Sequence, residues 1–241
     1  MTEPPLGAAI AANLAGVRSR IAQAIARSGR SPGEVTLVAI SKTFGPDCVR
    51  AAFAAGQRDF GENRVQEALQ KIGQLTDLEI RWHLVGHLQS NKAAAAAELF
   101  SMIHSVDSGS LARRLDRACE AADRRLEVLL QVNVSGEQAK SGLRPDELHA
   151  ALEEAASCAR LRLAGLMTIP PLAEDPEESR PHFARLKGLL EEARGWLPAG
   201  PVREAMHHLS MGMTDDFEVA IEEGATLVRV GRAIFGERQE P

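Results

Sequence analysis

Eight short apolar runs, rich in β-branched residues, recur along the chain at residues 35–41, 58–61, 80–86, 102–106, 126–134, 161–167, 205–210 and 225–231. All but the last are followed by a stretch with helical character, at 46–55, 62–72, 90–99, 108–124, 145–159, 176–193 and 214–223. Runs that stay apolar at successive positions read as strands buried on both faces, which is how a parallel sheet covered by helices looks in sequence. The punctuation agrees. Pro46, Pro145 and Pro176 lie near first helical turns, Asp215-Asp-Phe-Glu218 resembles an N-terminal capping pattern, and Gly56 and Gly224 follow their helices. Eight strands alternating with helices is the count of an α/β (β/α)8 TIM barrel. An extra N-terminal helix over residues 6–28 is expected to close the bottom or side of that barrel. With no low-complexity linker, fixed-period repeat or composition break, residues 1–241 read as a single barrel domain, with 170–179 as its main loop.

Composition narrows the function by exclusion. A net charge of −5, from 28 basic and 33 acidic residues, argues against nucleic acid or an anionic membrane surface as the main partner. Cys48, Cys119 and Cys158 are odd in number and far apart, so neither a disulfide framework nor a CxxC knuckle follows, and a reducing cytoplasm is the expected location. The opening Met-Thr-Glu-Pro-Pro is acidic and unlike a signal peptide, and no apolar run is long enough to span a bilayer. No long exposed apolar stripe demands a dimer, so a monomer is expected. Tyrosine is absent from all 241 residues, which excludes any mechanism needing a tyrosine acid, base or phosphate ligand.

In a barrel, chemistry gathers at the carboxyl ends of the strands. Lys42 ends the first run. Partial desolvation there lowers an amine's pKa, and a neutral amine condenses with an aldehyde to a Schiff base. On position alone a solvent-facing lysine is the commoner case; the last two strand ends change the balance. Barrels often hold phosphate in the loops after strands seven and eight. Here Ser210 offers a hydroxyl, Gly212 allows close backbone approach, and Gly231-Arg232 makes a second turn. By alternation Arg229 shares a face with Leu227 and Gly231 and points into the barrel top. A Schiff-base lysine beside a phosphate cradle suits pyridoxal 5'-phosphate (PLP). Arg229 is then the candidate facing the pyridine nitrogen, where a cation disfavours protonation and makes the ring a weaker electron sink. His83 and His87 are four apart without an HExxH pattern, so no metal site is expected, and Cys48 reads as packing.

The segments Leu37-Val-Ala-Ile-Ser-Lys42, Phe60-Gly-Glu-Asn-Arg-Val-Gln-Glu67, Trp82-His-Leu-Val-Gly-His-Leu-Gln-Ser-Asn-Lys92 and Gly165-Leu-Met-Thr168 carry a family resemblance. So do Leu209-Ser-Met-Gly-Met-Thr-Asp-Asp216, Val228-Arg-Val-Gly231, Ser105-Val-Asp107 and the 132–142 segment. Together they resemble the PLP homeostasis protein family, whose members look like the N-terminal barrel domain of alanine racemase, the fold type III of PLP proteins. The resemblance implies PLP held on Lys42 as a Schiff base, Arg229 facing the pyridine nitrogen, and Ser210 with the backbone around Gly231 and Arg232 holding the phosphate. Asn63, Met167 and His83 would line the ring. It also implies a role in vitamin B6 and amino-acid homeostasis, with apo-PLP enzymes as possible partners and no residue assigned to catalysis. Thr214 stands where the family frequently has serine, and Arg232 where it has threonine, which places an extra charge near the phosphate loop.

Three enzyme readings compete. An amino-acid racemase needs an acid/base opposite the lysine, and racemases supply a tyrosine from a separate β-domain; with no tyrosine and ten residues after Gly231, neither is expected here. A decarboxylase needs a carboxylate at the ring nitrogen, where Arg229 stands instead. A Schiff-base aldolase normally draws its lysine from a later strand, and the sixth run ends in Met167-Thr168.

Overall fold

The computed structural model describes residues 6–137 and 140–237. The N-terminal Met-Thr-Glu-Pro-Pro and part of the 132–142 segment therefore lie outside the described residues. Strands β1 (Thr36–Ile40), β2 (Asp59–Glu62), β3 (Arg81–Leu84), β4 (Met102–Val106), β5 (Leu126–Gln131), β6 (Leu161–Met167), β7 (His208–Ser210) and β8 (Leu227–Val230) close into a barrel in chain order. All pairings are parallel, and β8 returns to β1 with Thr36 opposite Leu227 and Ala39 opposite Val230. The expected (β/α)8 architecture is the observed one.

The alternation of side chains divides the core in two. Val38, Ile40, Val85, Met102, Leu129, Ala164, Met167 and Leu227 pack together inside the barrel. Their neighbours Leu37, Ala39, Phe60, Leu84, Ile103, Leu130 and Val228 face outward into a larger layer beneath the helices. Helix α1 (Leu6–Arg27) buries Ile10, Leu14, Val17, Ile21 and Ala24, a stripe at helical spacing. It lies against α2 (Pro46–Ala54), while α3 (Val65–Ile72), α4 (Ala93–Leu99), α5 (Gly109–Ala121), α6 (Leu148–Ala156) and α7 (Arg180–Trp196) continue the outer ring. Two short helices, α9 (Phe217–Glu222) and α10 (Arg232–Phe235), complete the contacts of α1, so α1 covers the side of the barrel at the β8–β1 seam rather than its bottom. Arg20 and Arg27 tie it down through Glu218 and Glu222.

Some boundaries differ from the sequence reading, each for a local reason. Residues 205–207 are not strand: Pro201 starts a short helix, α8 (Pro201–Ala205), and β7 keeps only three residues. Glu62 ends β2 instead of opening α3, since its side chain is fully buried. Beyond Gln131, Val132 leaves the strand to bridge Leu143. Helix α10 is too short for any periodicity to reveal.

Glycines test how tightly the barrel is drawn. A Cβ on Gly165 in β6 would fall 1.9 Å from the backbone oxygen of His208 on β7, whereas one on Gly188 in α7 meets nothing within 4 Å. Gly165→Ala is expected to lower stability by about 3 kcal/mol or more through forced strand separation, and Gly188→Ala to raise it by roughly 0.5–1 kcal/mol through helix propensity. Urea unfolding midpoints of the two variants check both signs.

Candidate functional site

At the carboxyl ends of the strands a cleft of about 340 Å³ is lined by Ile40, Lys42, Asn63, Val85, Thr214, Arg229, Gly231 and Arg232 among others. This volume is in the range of small-molecule sites. Five of the residues singled out in the sequence, Lys42, Asn63, Arg229, Gly231 and Arg232, thus meet in one place.

Lys42 is presented by a turn. The Phe44 N–H donates to the Ser41 carbonyl at 3.1 Å, and Thr43 takes φ +70°. A β-branched residue in the left-handed region is an outlier, and such strain persists only where the surroundings enforce it. Behind the turn sits a buried ion pair: Lys71 Nζ donates to Glu62 Oε1 at 2.5 Å and to the Ser41 carbonyl at 2.7 Å. The Ser41 hydroxyl donates to the same Glu62 oxygen at 2.7 Å. Glu62 Oε2 is buried and has no hydrogen-bond partner among the described residues. The pair therefore grips the residue just before Lys42.

The closure of the barrel brings the last strand end to the first. A Cβ on Gly231 would lie 3.1 Å from the Ile40 carbonyl, so a bare backbone lets β8 finish this close to Lys42 without displacing β1. Arg232 follows, and its guanidinium binds both oxygens of Asp215, at 2.6 and 2.7 Å. The charge that looked surplus in the sequence is thus neutralised by the neighbouring loop. Thr214 reaches the cleft from that loop. Asp216 orders the loop, accepting from Met213 N at 2.6 Å and from the Ser179 hydroxyl at 3.1 Å. Asn63 is held over β3 because Gly86 has no side chain: a Cβ there would lie 2.2 Å from the Asn63 carbonyl.

The remaining expected residues sit elsewhere. Ser210 is fully buried below the cleft, its oxygen accepting from Arg229 at 2.7 Å and lying 2.8 Å from His104 Nδ1. Its hydroxyl faces the barrel interior, and Thr214 is the hydroxyl residue of that loop lining the cleft. Gly212, at φ +89°, serves close packing: a Cβ would lie 2.5 Å from the Ala220 Cβ and 2.9 Å from the Phe217 Cα of α9. Met167 belongs to the interior aliphatic cluster. His83 lies inside the barrel, between His104 at 2.9 Å and Asp59 at 3.0 Å. The sequence reading missed His104, Asp59, Glu62 and Lys71. Strand alternation through His104 and Asp59 was the available signal for the first two; nothing local marks Lys71, whose role depends on tertiary contact.

Electrostatics follow burial. The Arg229 guanidinium donates to Ser210 Oγ and to the Thr168 carbonyl, neither a carboxylate, and burial lowers its pKa to about 10. Burial, with His83 and Arg229 nearby, pushes His104 well below the ordinary imidazole value of 6.5. Burial likewise lowers His208 to about 4, helped by His207 and Arg162. For Asp59 burial opposes ionisation, but hydrogen bonds from His83 and Arg81 outweigh it and hold the carboxyl below its usual value.

A larger cavity, about 600 Å³, opens at the opposite end of the barrel between α6, α8 and the starts of β5 and β6. Its only thiol, Cys158, is raised by burial to about 11 and is not a nucleophile at neutral pH.

The alanine racemase N-terminal domain family matches this chain over residues 8–239. A pyridoxal phosphate homeostasis protein of Pseudomonas aeruginosa is 47% identical over 229 residues, covering 95% of this chain and 96% of the relative. PipY of Synechococcus elongatus, solved with PLP bound, superposes with a TM-score of 0.82 at 41% identity, over 94% of this chain and all of PipY. Alanine racemase of Bartonella henselae shares the fold at a TM-score of 0.69 and 16% identity, with 62% of its length covered.

Two predictions arise from the buried charges. Lys71→Met is expected to cost about 3–5 kcal/mol by stranding Glu62, and the Glu62→Gln/Lys71→Met double variant to recover much of it, a cycle measured by urea unfolding. The second concerns pH. Folded His104 and His208 are held below 6.5, so their contribution is complete above the unfolded value and is lost as pH falls below about 6.5, for His208 down to about 4. Each is expected to steepen the loss by up to about 1.4 kcal/mol per pH unit, and His104→Gln to flatten the profile measured between pH 7 and 5.

Proposed function

The chain belongs to the pyridoxal phosphate homeostasis proteins of the alanine racemase N-terminal domain family, and from this premise we propose that it binds PLP covalently through Lys42 and holds it without a dedicated catalytic cycle. The observation that carries the reading is the meeting, in one cleft, of the Lys42 amine, the buried Arg229 cation and the Gly231–Arg232 turn.

The residues fit the group. When bound, PLP supplies an aldehyde for an amine, a phosphate and a pyridine nitrogen. Lys42 Nζ would be the amine that takes up the aldehyde carbon, with the carbonyl oxygen lost as water. The backbone turn at Gly231 and the hydroxyl of Thr214 stand where a phosphate would be received, in the two loops that barrels use for this purpose. Ser210 acts at one remove, by holding Arg229. Asn63 and Val85 form the remaining walls near Lys42.

Arg229 argues against turnover. Its cation beside the pyridine nitrogen opposes protonation there, and its hydrogen-bond partners among the described residues, the Ser210 hydroxyl and the Thr168 carbonyl, include no carboxylate. The sequence holds no tyrosine to serve as a second acid/base on the opposite face. Relatives of similar length carry names describing homeostasis rather than a reaction. We also place the protein in the cytoplasm as one barrel domain and a monomer, with apo-PLP enzymes as recipients. Its large exposed apolar side chains, such as Leu69, Leu172 and Trp196, are scattered over different elements, and no described helix is long and apolar enough to cross a membrane.

The purified protein incubated with PLP is expected to turn yellow, and borohydride to fix the cofactor on Lys42, located by peptide mass spectrometry. Lys42→Ala is expected to lose both signals, and the loaded wild type to leave the optical rotation of L-alanine unchanged. An imine absorbance that survives in Lys42→Ala would remove this assignment, and rapid racemisation would restore the enzyme reading.

A further inference from the structure

An unbroken line of buried polar side chains crosses the aliphatic barrel interior. Asp59 Oδ1 lies 3.0 Å from His83 Nε2, His83 Nδ1 2.9 Å from His104 Nε2, and His104 Nδ1 2.8 Å from Ser210 Oγ. Ser210 Oγ then accepts from Arg229 at 2.7 Å. These five residues come from β2, β3, β4, β7 and β8, and all are buried. Arg81 closes the lower end with a bidentate pair to Asp59 at 2.8 and 2.6 Å. The line therefore joins one end of the barrel to the cleft at the other.

Its direction follows from what each group can donate. A carboxylate only accepts, so His83 presents Nε2–H to Asp59. With one hydrogen on each ring, His83 Nδ1 is bare and receives from His104 Nε2–H. His104 Nδ1 is then bare and receives the Ser210 hydroxyl hydrogen, leaving the Ser210 oxygen as acceptor for Arg229. In this arrangement all four bonds run toward Asp59, and each ring N–H and the Ser210 hydroxyl finds an acceptor. Reversing the tautomer of either ring would set two bare nitrogens or two N–H groups face to face, or aim a bare nitrogen at the carboxylate.

We propose that Asp59, His83 and His104 are positioning residues for the cofactor site: their one-way hydrogen-bond chain locks Ser210 as the acceptor for Arg229 and ties that buried guanidinium to a carboxylate at the far end of the barrel. The proposal rests on the reading that the PLP ring lies against Arg229. Its chemical logic is separation. A buried cation needs a counter-charge, but a carboxylate touching Arg229 would bring negative charge to the ring nitrogen and favour its protonation. A chain of neutral groups supplies the carboxylate remotely and leaves only a hydroxyl and a carbonyl against the guanidinium. The other charged groups near this line are Asp216 before α9, Arg81 on β3, Glu127 on β5, Arg162 on β6 and His208 on β7; Asp216 is near enough to favour the Arg229 cation but spends its oxygens on Met213 N and the Ser179 hydroxyl, and His208 is engaged by the Thr226 hydroxyl at 3.0 Å and stands outside the chain.

Two measurements test the proposal, the first without cofactor. Ring nitrogen NMR of histidine-labelled apo protein at neutral pH is expected to show His104 protonated at Nε2 and bare at Nδ1. The opposite tautomer, or an imidazolium, overturns the chain. The second follows the visible absorbance of PLP-loaded protein against pH in the wild type, Asp59→Asn and His104→Gln. With its remote counter-charge weakened, Arg229 bears more strongly on the cofactor, so both variants are expected to lower the absorbance midpoint by roughly half a pH unit. Both should also lose PLP faster on dialysis. Asp77→Asn, which removes an exposed carboxylate paired with Arg50, is expected to leave the midpoint in place. Borohydride fixation on Lys42 with unchanged midpoints in both folded variants overturns this inference alone; no fixation in the wild type overturns the proposed function and this inference with it. If both variants fail to fold, the tautomer measurement on the wild type decides.

Discussion

The seam where β8 returns to β1 governs the upper half of this molecule. A parallel barrel can close only if its first and last strands pair, and here they do so in register from Thr36–Leu227 to Ala39–Val230. Closure carries Lys42, from the beginning of the chain, against Gly231, from near its end. The approach is tight enough that a methyl group on Gly231 would press on the Ile40 carbonyl. Helix α1 covers this seam from outside and is bolted to α9 and α10 by apolar packing, by the arginine pairs with Glu218 and Glu222, and by Asn13 bonding the Ile234 carbonyl. The extra helix before the first strand thus stabilises the junction on which the cleft depends.

Around that seam the protein buries charge in two different ways. The outer pair, Lys71 with Glu62, is direct, short and complete except for one carboxylate oxygen. It acts on backbone, gripping the Ser41 carbonyl and so the turn that forces Thr43 to positive φ. The inner cation, Arg229, hydrogen-bonds to no carboxylate among the described residues, has Asp216 nearby without a direct bond, and reaches Asp59 through Ser210, His104 and His83. A buried ion pair is seldom the most stable way to fill a core, so its retention beside a reactive amine and its absence beside Arg229 point to different duties. The first fixes geometry. The second keeps a cation available toward the cleft.

How much of this was legible in the sequence depended on the range of the interaction. The barrel could be read because each strand and helix carries its own periodicity and punctuation. Lys42, Arg229 and Gly231 could be read because strand ends and alternation assign them a place and a face. Ser210 was legible as a strand-end hydroxyl, but not in its direction: a three-residue strand, β7, leaves too little alternation to show that the side chain points inward to Arg229 and His104. The short helices α8 and α10 fall below the length at which a periodic pattern exists. Glu62 looks like an ordinary surface residue of a helix start and Lys71 like one of a helix's last turn, and their burial follows only from how α3 packs behind the Ser41–Phe44 turn. Arg232 seemed to add charge to an anion site because its partner Asp215 lies in another loop.

The site combines a rigid floor with an open rim. Its floor is the interior aliphatic cluster threaded by the polar line, where every group is buried and held on more than one side. Its rim is different. Leu172 is 94% exposed and Ile169 38% exposed beside the cleft, and the Arg232–Asp215 pair across the two loops is also solvent-facing. Exposed ion pairs contribute little to stability and are screened by salt, so the rim can rearrange at small cost while the floor cannot. In the proposed function this division assigns retention of PLP to Lys42 and the Arg229 floor, and exchange to the rim. The Schiff base forms and hydrolyses through the same amine. In that reading an open rim gives water a path to the bond. A protein that stores and yields PLP needs the firm floor and the loose rim together, and the fold supplies both by putting its buried charges below the cleft and its exposed ones above.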